Sequence, residues 1–324
     1  MKNSMLLLLV FALHTSVYAD MKKIICWGDS ITEGMGMTPQ ATYPARLQTL
    51  LGERFRVLNS GDGGEDAVTI PVRQGSLGIQ TSVRILFDEG VRKVQVGNES
   101  DNGFRTIAGE KIKLTEALGR DVPVNPVVIG SDSYRLSFTE FKWNTSEHPI
   151  LYKLWLERDD DTGGVEIPAG QSVSFASASA VRDAFCEVIL MGANGGWKNE
   201  MGNLIDRYKM MVSRRGSEKP FIVIVPFWGD ITDEQARVFK SAFGRHAVDF
   251  RGESIRRGLE VEGLEATELD RREMAFCRVP PSLLYQNRPN CHLNAKGYDF
   301  LARLVFERGK MLGYWNEPEE RNSK

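Results

Sequence analysis

Apolar and polar positions divide the chain into three stretches. An apolar run over Lys23–Trp27 ends in Gly28-Asp29-Ser30. Tyr43-Pro44 then opens a helix reaching about Glu53, with proline at the tolerated first turn. Phe55–Leu58 predicts a second strand before the turn Asn59-Ser60-Gly61-Asp62-Gly63-Gly64. Strand, loop, helix, strand is the order of a parallel α/β sheet. From about Gln74 to Asp183 the pattern changes to short alternating runs, among them Lys93–Val96, Lys111–Leu114, Tyr134–Phe138, Tyr152–Leu156 and Val173–Phe175. This spacing predicts a small β-barrel or β-sandwich inserted into the α/β unit. The α/β order resumes at Ala184, with a strand over Phe185–Met191 running into Gly192-Ala193-Asn194-Gly195-Gly196. A helix over Met201–Arg214 follows, with Leu204, Tyr208 and Met211 at helical spacing, then a strand over Phe221–Pro226, a helix over Asp233–Phe243 and a last strand over Ala247–Phe250. An irregular stretch precedes His292, and Asn294 caps a closing helix with Tyr298, Leu301, Leu304 and Val305 on its apolar face. The expected division is α/β over 20–73, β-rich insert over 74–183, α/β again over 184–316, and a polar tail over 317–324.

The first nineteen residues read as an export signal. Lys2 supplies a positive start, Met5–Leu13 is unbroken apolar sequence, and Val17-Tyr18-Ala19 fits a cleavage site. The competing readings are a buried N-terminal element or a start at Met21. The run is too short to span a bilayer and no second one follows, so no stable membrane span is expected. Cleavage near Ala19 implies a periplasmic or extracellular protein. The 324 residues are 42% hydrophobic and 26% charged with a formal net charge of -2. No basic tract stands out, so a nucleic-acid partner is not expected. Of four cysteines, Cys26 and Cys186 lie in strand-like apolar runs, and Cys277 and Cys291 flank a proline-rich loop that a disulfide could close. No CxxC spacing occurs, and no metal site is expected.

Candidate chemistry falls where strands end. In open α/β sheets the loops at the carboxyl ends of the strands form the cleft. Three such loops carry Ser30, Gly64 and Asn194, and His292 stands just ahead of the last helix. A serine hydroxyl needs an adjacent base to become a nucleophile, and acyl transfer needs donors aimed at the developing oxyanion. Each residue has a plainer reading too: turn glycine, turn asparagine, or a histidine that caps a helix. Asp29 reads as a loop hydrogen-bonder. Trp197 either lines the substrate cleft or packs in the core. Trp143 and Trp155 could stack on sugars or belong to the insert's core. Asn98-Glu99-Ser100 and Asn144-Thr145-Ser146 match glycosylation acceptors.

Taken in order, these segments resemble the four sequence blocks of the SGNH/GDSL hydrolase superfamily: Gly28-Asp29-Ser30-Ile31-Thr32, Asn59 through Gly64, Met191-Gly192-Ala193-Asn194, and Cys291-His292-Leu293-Asn294-Ala295-Lys296-Gly297-Tyr298. The resemblance runs from Lys23 to about Trp315, interrupted by the insert. It implies a three-layer α/β/α fold around a parallel sheet and a cofactor-free serine ester hydrolase. In that scheme Ser30 is nucleophile, His292 is base, and the Ser30 and Gly64 amides with the Asn194 side chain form the oxyanion hole. With export and the insert, it implies removal of O-acetyl groups from an acylated carbohydrate or other small ester. The alternatives are a lipid or thioester hydrolase, or a non-catalytic glycan-binding protein on the same scaffold. One position departs from the pattern. Pro289 stands where the family carries the aspartate that orients the histidine, and no Asp or Glu occurs from Met274 through Tyr298. Asn287, Asn290, a backbone carbonyl or Asp230 remain to hold the ring.

Overall fold

The computed structural model describes residues 21–98, 101–115, 118–142, 151–161, 163–214, 216, 218–229 and 231–316. The export-signal segment, Trp143, His148, the second glycosylation triplet, the last two residues of the first, Asp230 and the polar tail lie outside the described residues.

Strand β1 (Lys22–Gly28) runs into a one-turn helix α1 (Ser30–Glu33), and α2 (Tyr43–Leu51) leads to β2 (Phe55–Gly61). A short α3 (Thr69–Gln74) precedes nine strands: β3 (Ile79–Thr81), β4 (Ile85–Phe87), β5 (Lys93–Asn98), β6 (Phe104–Thr106), β7 (Val127–Ile129), β8 (Asp132–Lys142), β9 (Leu151–Glu157), β10 (Val165–Ile167) and β11 (Ser172–Phe175). Helix α4 (Ser177–Asp183) returns the chain to β12 (Ala184–Leu190), α5 (Met201–Ser213), β13 (Phe221–Ile224), α6 (Asp233–Phe243) and β14 (Ala247–Val248). Two further helices follow, α7 (Glu268–Ala275) and α8 (Ala295–Met311).

The five α/β strands form one parallel sheet in the order β14-β13-β12-β1-β2. In β1, Ile24, Ile25, Cys26 and Trp27 are all fully buried, the continuous apolar run of a strand covered on both faces. The connections β1-α2-β2 and β12-α5-β13 step in opposite directions across the sheet. With right-handed crossovers they therefore lie on opposite faces, which makes three layers. The sheet order reverses between β1 and β12. That reversal opens a crevice beyond the carboxyl ends of these two strands, and Ser30 and Asn194 emerge there. Local signals agree with this architecture. Thr232 and Gln235 form a reciprocal cap at the start of α6, and α6 buries Ala236, Phe239 and Phe243.

The insert is a seven-stranded antiparallel sheet in the order β5-β9-β8-β7-β11-β3-β6, with a two-stranded ribbon β10-β4. It has its own core, including Phe87, Phe104, Val124, Val127, Leu154 and Leu156. Val122, from the same stretch of chain, packs instead into the α/β core. Among the described residues no helix is long and apolar enough to cross a membrane.

Three sequence expectations are corrected. Lys111–Leu114 is not a strand: it makes one isolated bridge, Arg105 to Lys111, and then turns its polar groups toward α3. The last sheet strand stops at Val248 because Asp249 caps a new helical turn, accepting from the Gly252 amide at 3.0 Å. The stretch before His292 is largely helical, since residues 250–261 form a helical run and α7 has its own Thr267–Asp270 capping box.

Candidate active site

Ser30 occupies the first position of α1, where the Asp29 side chain caps the helix by accepting from the Ile31 amide at 3.0 Å. The cap turns the Ser30 side chain toward the crevice, and its Oγ lies 2.8 Å from His292 Nε2. Ser30 is 6% exposed. Burial holds the His292 imidazole below its ordinary pKa, while the nearby Glu33 carboxylate raises it. The ring is thus neutral at neutral pH and its Nε2 can accept the serine proton.

Of the residues considered for holding the His292 ring, Asn290 is the one that contacts it. Its Oδ1 lies 3.2 Å from His292 Nδ1 and accepts from the His292 backbone amide at 3.1 Å. Because that backbone amide can only donate, Oδ1 is fixed as the atom facing the ring, and Nδ1 carries the proton. Cys291 Sγ lies 3.5 Å from the same nitrogen. Asn287 accepts instead from the Asn294 side chain at 3.1 Å and braces the cap of α8. Asp230 lies outside the described residues.

The two proposed oxyanion loops dock on each other. The Ala67 amide donates to Gly195 O at 3.0 Å, and Asn194 Nδ2 donates to Glu65 O at 2.9 Å. This uses one of the two amide hydrogens of Asn194 and leaves the other. Gly64 has φ of +87°, a conformation that favours glycine. A side chain at Gly61 would meet Glu33 N at 2.1 Å, so the loop can lie against α1 only with glycine there. At Gly63 an added Cβ would stand 3.7 Å from Ser30 Cβ, which places this loop beside Ser30.

Beneath the loop lies a buried ionic cluster. Arg73 Nε pairs with Glu65 Oε2 at 2.6 Å, both side chains fully buried, and Arg73 also donates to Ser60 Oγ and Ser60 O. Burial pushes the carboxyls of Glu65 and Asp62 upward, opposed by Arg73. Asp29 is pushed up to about 7 by burial, against the Ile31 and Ala193 amides. Its Oδ2 has no hydrogen-bond partner.

A strap from the insert clamps this loop from outside. Thr115 donates to Asp62 Oδ1, and the Gly119 amide donates to Asp62 Oδ2 at 3.1 Å. The Asp62 amide reaches Gly28 O at 3.0 Å, and its carbonyl accepts from the Glu65 amide at 3.3 Å. Asp62 therefore joins β1, the glycine loop and the insert. Asp121 exchanges bonds with the Asn59 backbone at 2.8 and 3.2 Å. The Lys113 amide donates to Thr69 Oγ1 at 2.6 Å, its Nζ reaches Asn194 O at 3.4 Å, and Arg120 pairs with Glu33. The sequence reading took Lys111–Leu114 for a strand and missed these contacts, which no motif marks.

A cavity of about 370 Å³ opens beside the His292 loop, lined by Phe227, Trp228, Arg251, Arg278, Asn290 and Cys291 among others. The Trp228 ring lies 3.4 Å from where a Gly192 Cβ would stand, so one cavity-lining residue packs against the Asn194 loop. The position of Phe227-Trp228-Gly229, just past the end of β13, was the available signal for it.

Several expected roles change. Trp197 is 3% exposed and donates to Gly192 O at 2.8 Å, so it braces the Asn194 loop from within the core and does not line the cleft. Cys277 and Cys291 are not joined, and all four cysteines are free thiols. Cys277 is exposed at the end of α7, while the Cys291 thiol lies against the His292 ring. His246 stacks on Phe221 at 4.2 Å and contacts Tyr314 Oη at 3.0 Å, a packing role away from the site. Among the described residues no group of three or more His, Cys, Asp or Glu is arranged to hold a metal ion.

The chain is similar to solved G-D-S-L proteins. A lipolytic protein of that family from Desulfitobacterium hafniense aligns over 87% of this chain and 99% of its own, at 12% identity and a TM-score of 0.41. A lipolytic G-D-S-L protein from Veillonella parvula aligns over 88% and 97%, at 11% identity and a TM-score of 0.41. A carbohydrate acetylesterase family member from Sinorhizobium meliloti aligns over 90% and 100%, at 12% identity and a TM-score of 0.38. No family profile and no curated protein matches the chain.

Proposed function

We propose that the protein is an exported serine esterase that removes short acyl groups, O-acetyl above all, from a carbohydrate. The observation that carries this is the 2.8 Å contact between Ser30 Oγ and His292 Nε2 at the sheet's switch point. His292 takes the Ser30 proton as Oγ attacks the ester carbonyl carbon. The oxyanion is held by the Ser30 and Gly64 amides and the remaining Asn194 hydrogen. His292 then protonates the departing alcohol, and water, activated by the same ring, releases the acid from Ser30. The chemistry asks for no metal or organic cofactor. The cavity beside His292 sets Arg278 and Asn290 against a mostly apolar lining with Phe227 and Trp228, a combination that suits the polar edge and C–H face of a sugar.

The test is hydrolysis of p-nitrophenyl acetate, butyrate and octanoate by the chain without residues 1–19, alongside Ser30→Ala. Turnover that favours acetate and vanishes in the variant is the expected result. Preference for octanoate moves the assignment to a lipid hydrolase. Equal inertness of both proteins removes the esterase and leaves the glycan-binding reading.

A further inference from the structure

Among the described residues, the cavity beside Ser30 and His292 carries a charge that is only partly matched. Of its two arginines, Arg251 is spent: it donates to Ile231 O at 2.5 Å, Thr232 O at 3.4 Å and Asp233 Oδ1 at 3.0 Å. Among the described residues the Arg278 guanidinium makes one hydrogen bond, from Nη1 to Glu273 Oε2 at 3.1 Å, lies 5.8 Å from the centre of the Phe276 ring, and its side chain is 55% exposed. Glu273 is 4% exposed and also accepts from Arg272 at 3.1 and 3.2 Å. One buried carboxylate thus serves two guanidinium groups. Arg278 keeps most of its donors and a net positive charge at the cavity wall.

The remaining lining defines the shape of an occupant. Phe227 and Trp228 are 4% and 5% exposed, rigidly packed at the end of β13. Pro289, Asn290 and Cys291 form the wall on the His292 side. About 370 Å³ is at the small end of ligand sites, enough for a substituted sugar ring. Aromatic faces suit the C–H surface of such a ring, and a guanidinium fork matches a carboxylate in bidentate geometry.

We infer that this cavity is a subsite for a carboxylate-bearing sugar ring of the ester substrate, with Arg278 pairing the carboxylate and Phe227 and Trp228 flanking the ring. The inference rests on the serine-esterase reading and narrows its substrate from carbohydrates in general to acidic ones. A neutral ring would leave the surplus charge of Arg278 unmatched.

The probes are D-glucuronate and D-glucose, which differ at one carbon. Glucuronate is expected to inhibit p-nitrophenyl acetate hydrolysis competitively, with an inhibition constant at least about tenfold below that of glucose. In Arg278→Gln the two sugars become equivalent inhibitors, and Arg278→Lys keeps part of the difference because it keeps the charge. Equal inhibition by the two sugars in the wild type overturns the inference, as does a preference undiminished in Arg278→Gln. If Arg278→Gln does not fold, the wild-type ratio and Arg278→Lys decide. Calorimetric titration of both sugars into Ser30→Ala reads the same preference without turnover. A wild type no more active than Ser30→Ala therefore removes the esterase while the titration still decides the subsite.

Discussion

Asn290→Asp tests how His292 is held. The side chains are isosteric, so the change places a carboxylate oxygen about where Oδ1 now stands, 3.2 Å from Nδ1. At that distance a unit charge pair is worth about 1.3 kcal/mol at the dielectric of water and about 5 kcal/mol at an effective value of 20. Asn290 is exposed, so the lower figure governs, and the gain in imidazolium stabilisation is about 1–2 kcal/mol. That corresponds to roughly a tenfold rise in kcat/KM. In the Ser-His-Asp template, replacing Asp by Asn loses about 10⁴ in turnover because the ring adopts the wrong tautomer. Here the tautomer is already set, since the His292 backbone amide fixes the orientation of Asn290. Only the charge is missing, so only the smaller factor is recoverable. The sign in pH also follows. A carboxylate favours the protonated ring and adds to the pull of Glu33, so the acid limb of kcat/KM moves to higher pH. The gain must therefore be read on the plateau above it. The assay is kcat/KM for p-nitrophenyl acetate from pH 5 to 9. A rise of about a thousandfold or more would mean that Asn290 does not orient the ring in the native protein. No rise, with no shift of the limb, would mean that position 290 does not face Nδ1 at all.

Two further outcomes follow from the surroundings of the dyad. Thr115→Val removes the hydroxyl that the insert donates to Asp62. Losing a hydrogen bond to a buried charged group is worth about 1.5–3 kcal/mol, and the expected result is a kcat lowered about tenfold with KM for p-nitrophenyl acetate little changed. An unchanged kcat would show that the strap does not position the glycine loop. Asp29→Asn tests the buried carboxyl raised from 3.8 to about 7. The folded state holds a proton that the unfolded chain releases between these values, so this group's contribution falls as pH rises from about 4 to 7, by up to about 4 kcal/mol. The variant keeps a good cap and should be more stable than wild type at pH 8, with the difference vanishing toward pH 4 in urea unfolding. A difference independent of pH would remove the assignment.

The parts of the site that were legible in the sequence are those fixed by local chain geometry. Ser30, Gly64 and Asn194 each follow a strand whose apolar run is unmistakable. In a parallel sheet that position alone brings a residue to the cleft. His292 was singled out by its place in the fourth block of the resemblance, just ahead of the helix that Asn294 caps. Asn290 remained one of several options because no local pattern distinguishes it from Asn287, three residues earlier in the same loop. Only the path of the backbone at His292 separates them. Trp197 was ambiguous for a similar reason. Its spacing from Asn194 fits either face of the loop, and burial against Gly192 O decides.

The strap was invisible for a deeper reason. Lys111–Leu114 alternates like a strand, and as a strand it would have spent its amides on the insert's own sheet. The Lys113 amide goes to α3 instead, Thr115 and Gly119 go to Asp62, and Asp121 goes to the end of β2. These are long-range partners that propensity does not encode. Asp62 was in turn obscured by its neighbours, since between two glycines it reads as turn chemistry. In the folded chain it is 1% exposed, and a buried carboxylate must find donors. Strand β1 supplies only an acceptor at Gly28 O, so the donors come from the insert. The glycine loop beside Ser30 thus has its carboxylate satisfied only when the β-domain is docked. Removing the insert would take away both donors to Asp62, the same loss that Thr115→Val samples one bond at a time.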